Sequence, residues 1–229
     1  MAIGSLHLAT LLCVLGTSLA GAQTPATHPL HAGAMQPGAI GSQRLLRGGP
    51  LSGYTQPVEI RVPEGTEVGM ATGGHFQVPQ PGNPVVGLRV GCVYRLKVTG
   101  LFDRPGEAVF PTVELIDRLY PPPGTAQKFP VPIDITAEDL ELAARGMFVT
   151  RVIYVEDPNQ ALPVDQEENK TTWVEARPEE DPLQVADAAG RPIAILRLGG
   201  RDLSQATGQG FTTYGDPPVF EYQRKPSQD

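Results

Sequence analysis

The sequence predicts a mainly β fold, an antiparallel sandwich-like domain with two short helices, with α+β as the alternative. Three observations lead there. Gly 26 and Pro 24 among 229 residues demand many turns, strongly alternating runs recur at short spacing, and two short helix signals each lead through a glycine into an apolar strand.

The clearest element is Ile133 to Asp157. Thr136 is an N-cap, Ile135 and Leu140 can form a hydrophobic staple, and Glu138, Asp139 and Glu141 suit the positive helix end. Gly146 supplies a left-handed stop. Phe148 to Val155 then alternates as a strand apolar on both faces, which predicts a position away from the sheet's open surface. The pattern recurs downstream: Asp181 caps a helix with Pro182 at its first position and Gln184 completing a capping box, Gly190 stops it, and Pro192 to Leu198 reads as a buried strand.

Residues 1–22 carry no Lys, Arg, Asp or Glu, run apolar from Leu6 to Leu19, and end in Ala20-Gly21-Ala22, which reads as a secretory signal peptide. Cys13 follows Leu11-Leu12 rather than a small residue, against a lipid anchor. Cleavage after Ala22 leaves Cys92 as the one cysteine, so stability must come from packing without an internal disulfide. Residues 23–56 are rich in Ala, Gly, Pro and Ser and read as a disordered linker, in which His28 and His31 are solvated rather than metal-binding. The globular domain is placed at 57–201, opening at Val58, and 202–229 reads as a flexible tail.

Within the domain, Gly69 to Gly87 reads as a glycine-rich loop without a phosphate-cradling pattern, and His75 as structural or solvated. Leu88 to Thr99 is the best alternating strand, with Cys92 on its apolar face as a small hydrophobe. Val109 to Leu119 is its hairpin partner, and Phe129 to Ile135, with Pro130 and Pro132, suits an edge strand. A short strand is placed at Thr171 to Ala176 around Trp173.

Charge narrows the function. The net charge of −7 argues against a nucleic-acid binder. Nine acids against two bases lie between Glu156 and Asp181, so that segment holds as much net charge as the whole chain. It lacks the ordered ligand spacing of a calcium loop, and a solvated acidic stretch is the simpler reading. No serine lies in a GxSxG elbow, and a carboxylate pair such as Asp117 and Asp134 is too common to mean much. Carbohydrate binding would need exposed aromatics, whereas the Trp and the tyrosines are placed on strands. One surface stands out: Arg89, Arg95 and Lys97 share a parity on the best strand with no acid between Leu88 and Thr99. Two readings compete there, pairing with Glu114 or Asp117 across the sheet and binding of an anionic polymer.

The phrases GLRVGCVYRLKVTGL, FPTVELIDRLYPPPG, ITAEDLELAARGMFVTRVIYVEDPNQALPV and DPLQVADAAGRPIAILRLGG together resemble a family of uncharacterised exported bacterial proteins, over about Val58 to Arg201. The resemblance implies one compact domain and carries no activity, cofactor or catalytic residue. The expectation is therefore an exported, non-catalytic envelope or surface domain in the periplasm, cell envelope or extracellular space, with a binding or structural role and no metal or cofactor. Its expected partner is a cell-envelope polymer or another envelope protein, with no nucleic acid and no transmembrane span after signal removal. The alternative is a secreted hydrolase with an unrecognised site.

Overall fold

A computed structural model describes residues 35–49, 53–159, 175–177, 179–199 and 217–222. The signal peptide, the start of the linker, most of the acidic stretch and its Trp173 strand, and most of the tail lie outside the described residues. The fold is mainly β. Two open sheets face each other: a smaller one of four strands in the order β11, β5, β1, β8, and a larger one in the order β3, β2, β6, β7, β10, β9, with β4 also on β2.

The strands are β1 (Thr55–Arg61), β2 (Glu67–Thr72), β3 (His75–Phe76), β4 (Gln80–Pro81), β5 (Val85–Arg89), β6 (Val93–Thr99), β7 (Thr112–Leu115), β8 (Val131–Asp134), β9 (Val149–Glu156), β10 (Gly190–Leu198) and β11 (Phe220–Glu221). All pairings are antiparallel except β1 with β8. Helices α1 (Ala39–Leu46), α2 (Ala137–Ala144) and α3 (Pro182–Ala189) complete the fold.

Alternation sorts the residues into two cores. Inward residues such as Ile60, Leu88, Tyr94, Leu96, Leu115 and Leu196 fill the space between the sheets, which α2 closes with Leu140 and Ala143. Burying such a side chain contributes about 1.5–3 kcal/mol, so this core dominates stability. The outer face of the larger sheet carries a second, smaller core of Ile40, Ile116 and Ile195, flanked by Leu183 of α3.

Several expectations hold. The Thr136 hydroxyl accepts from Asp139 N at 3.1 Å and Asp139 Oδ2 accepts from Thr136 N at 3.2 Å, a capping box at the start of α2. Gly146 has φ 81°, and Met147 N and Gly146 N donate to Leu142 O and Ala143 O, so all parts of the left-handed stop are present. Asp181 caps α3 through Leu183 N, with Pro182 first in the helix. The hairpin appears as β6 with β7, and β8 is an edge strand as its prolines require.

Others are corrected. Leu88 to Thr99 is two strands rather than one: the chain turns at Gly91, φ 83°, and passes from the smaller sheet to the larger. A Cβ at Gly91 would lie 2.1 Å from Leu45 Cδ1 of α1, so only glycine fits both the backbone and the helix packed on it. The Gly69 to Gly87 stretch is not loop throughout, since β2 crosses the larger sheet and β3, β4 and the start of β5 follow. The span read as linker contains a third helix, α1, with Ile40 buried, and β1 begins at Thr55. Residues 220 and 221, expected in the tail, pair with β5. Finally, β9 is an edge strand, half-buried along most of its length.

Candidate functional site

The three cations singled out in the sequence do not form one surface. Arg89 lies in the smaller sheet, while Arg95 and Lys97 lie on the outer face of the larger one, because the turn at Gly91 separates them. Arg95 is buried, with its guanidinium 5.8 Å from the Phe76 ring. Glu114 does not pair with any of them. Its Oε2 accepts from Arg197 Nη1 at 2.8 Å and its Oε1 from Gly41 N at 2.7 Å.

A different cluster assembles where β7 ends and β10 begins. Ile116 N and Asp117 N both donate to Ile193 O, at 2.8 and 3.0 Å, which bends the chain after β7. Leu119 N donates to Oε1 of the buried Gln56 at 2.8 Å, fixing the same segment to β1. Between these anchors the Arg118 guanidinium lies 4.8 Å from the Tyr54 ring centre and 4.4 Å from that of Tyr120. Arg191 lies 5.0 Å from the Tyr120 ring and donates to Arg118 O at 2.8 Å.

The acid of the cluster is the buried Asp117. Its Oδ2 is 2.9 Å from Arg191 Nη1 and 3.8 Å from Arg44 Nη1 of α1. Arg44 also lies 3.8 Å from Asp187, whose side chain is 70% exposed, so water screens that contact. Two guanidiniums thus engage one buried carboxylate, and a third, that of Arg118, shares the Tyr120 ring with Arg191. Arg118 has no carboxylate partner among the described residues, and its Nε is buried without a hydrogen-bond partner among them.

Chemically the cluster is a set of fixed cations and phenols. Stacking on two rings holds the Arg118 plane in place, and a guanidinium fork fits carboxylate or phosphate oxygens. Tyr120 is 63% exposed and lies outside the strands, contrary to the expectation that the tyrosines are placed on strands. Sequence reasoning missed this cluster because its members come from four separated segments. The one signal in the chain was the run Asp117-Arg118-Leu119-Tyr120.

No protein-family model matches the chain, and neither does any curated protein or solved structure.

The remaining sequence candidates are dispersed. Asp134 pairs with Arg61 in the smaller sheet, at 3.7 Å, far along the chain and in a different sheet from the Asp117 cluster. His75 is exposed, its Nδ1 3.3 Å from Gly73 O. Cys92 is half-buried against the main core, and burial raises its thiol pKa, partly offset by the Arg89 charge. No set of three or more His, Cys, Asp or Glu among the described residues could hold a metal ion. A groove of about 480 Å³ opens between β2 and β5, lined by Val68, Met70, Val78, Val86, Glu221 and Tyr222. Its carboxylate, Glu221, accepts from Gln77 Nε2 at 3.2 Å.

Proposed function

We propose that this chain is an exported, non-catalytic binding domain of the cell envelope or surface that takes hold of an anionic partner at the Arg118 cluster. The observation that carries the reading is Arg118 itself, stacked between Tyr54 and Tyr120 and left without a carboxylate partner among the described residues. Burying part of a guanidinium without a hydrogen-bond acceptor is costly, and a ligand oxygen would relieve that cost. The uncharged apolar run ending in Ala20-Gly21-Ala22 supports export, and the resemblance to exported bacterial proteins agrees with it. No helix among the described residues is long and apolar enough to cross a membrane.

A hydrolase would need a nucleophile or a pair of titratable groups converging in a pocket. The groove between β2 and β5 offers one carboxylate, and the Arg118 cluster offers one carboxylate already engaged by two arginines. Binding therefore fits these groups better than catalysis.

The test is cosedimentation with cell-envelope material at low salt. Wild-type protein should sediment with it and be released as salt rises. Arg118→Gln should abolish sedimentation while leaving the melting midpoint near wild type, whereas Arg89→Gln and Lys97→Gln should leave sedimentation intact. Failure of wild-type protein to sediment would rule the reading out.

A further inference from the structure

Sheet edges are where one β protein meets another strand, because they present unpaired backbone donors and acceptors. Three of the four edges here are blunted. On the smaller sheet, β11 has two residues, and β8 has four with Pro132 among them. On the larger sheet, the outer side of β2 is met among the described residues only by the two-residue β3 and β4, the latter ending in Pro81. The fourth edge is different. β9 runs for eight residues, VTRVIYVE, without proline, glycine or lysine, and no strand among the described residues pairs with its outer side. Met147 and Phe148 at its entry and Val155 near its end are among the exposed large apolar side chains, Phe148 at 53% and Val155 at 40%.

We propose that β9 pairs with β9 of a second copy of this chain, antiparallel and about a two-fold axis, joining the two larger sheets into one. Three properties favour a second copy as the occupant. A two-fold axis normal to the sheet requires paired residues to share a face, so the sums of paired residue numbers must be even, and the registers centred on Val152 or Ile153 pair the most of the strand, all but one residue at an end. In both registers Arg151 faces an uncharged residue, Ile153 or Val155, and no two like charges oppose each other. With all but one residue of β9 paired, the two strands form about seven backbone hydrogen bonds, which lies within the about 10 ± 5 of a typical protein interface. Arg151, which an arriving strand would meet, is already held by two bonds to Asp139 Oδ1, at 2.7 and 3.1 Å.

Sedimentation equilibrium of the full chain, from low to high micromolar, should show a reversible monomer–dimer equilibrium. In a Cys13→Ser, Cys92→Ser background, oxidation of Val152→Cys should form an intermolecular disulfide in the first register, and Ile153→Cys in the second, since opposed strand residues lie within disulfide reach. Val155→Lys, at a half-exposed position, should weaken the dimer at least about tenfold without lowering the melting midpoint. A monomer at every concentration would overturn the proposal. So would a dimer that links at neither position and tolerates Val155→Lys, or hydrogen exchange showing the outer β9 amides protected in dilute monomer, which would mean that the chain's own residues cover the edge.

Discussion

Glu114 Oε2 lies 2.8 Å from Arg197 Nη1 with both side chains buried, and the other oxygen of the same carboxylate accepts from Gly41 N near the start of α1. The two residues stand diagonally across β7 and β10, where Glu114 opposes Ile195 and Arg197 opposes Thr112. One carboxylate therefore ties the larger sheet to the helix covering it. Removing Glu114 takes this carboxylate from the buried Arg197 and the acceptor from Gly41 N, so Glu114→Ala should cost about 3–5 kcal/mol in urea unfolding. Glu114→Leu combined with Arg197→Met should cost distinctly less than the sum of the single changes, and additivity would mean that the pair is not coupled.

Gly146→Val should destabilise by about 1–2 kcal/mol, because φ 81° is left-handed and a β-branched residue resists it. A Cβ there would meet nothing within 4 Å, so the cost is backbone strain alone and Gly146→Asn should recover much of it. Denaturant midpoints of the two variants decide this; equal midpoints for Val and Asn would contradict it.

Burial pushes the Tyr94 phenol up to about 12, although the Arg89 amide donating to its oxygen at 2.7 Å pulls the other way. The unfolded chain ionises near the ordinary value of about 10. Because the folded value is the higher one, this contribution is complete below pH about 10 and is lost as pH rises towards 12. It amounts to about 3 kcal/mol. Stability of the wild type should therefore fall more steeply than that of Tyr94→Phe between those limits, and parallel pH curves would refute the assignment.

The raised thiol of Cys92, shielded by the core more than it is activated by Arg89, should react slowly. Alkylation at neutral pH should be many-fold slower in the native protein than in urea. Native reactivity equal to the unfolded rate would show that the thiol is neither buried nor raised.

Sequence reasoning succeeded where the signals are local. The Thr136 cap, the Gly146 stop and the strand after it are separated by a few residues and enforce each other. It failed where partners are distant. Helix α1, AIGSQRLL, has no side-chain cap, and its Gly41 amide is satisfied by a residue 73 positions away, so its own sequence reads as linker. The strand Leu88 to Thr99 looked continuous because β5 and β6 both alternate and the turn between them leaves that alternation unbroken. Beyond the run Asp117-Arg118-Leu119-Tyr120 the cluster could not be read, since Tyr54 and Arg191 meet Arg118, and Arg44 meets Asp117, only after two sheets and a helix have packed.

The amide side chain of Gln56 has a mechanical consequence. It sits on the second residue of β1 and accepts from the backbone of Leu119, directly beside the cluster. A displacement of the segment after β7 is therefore passed straight to β1 of the opposite sheet through this one bond, and Gln56→Ala should loosen the Arg118 segment while leaving each sheet's own ladder intact.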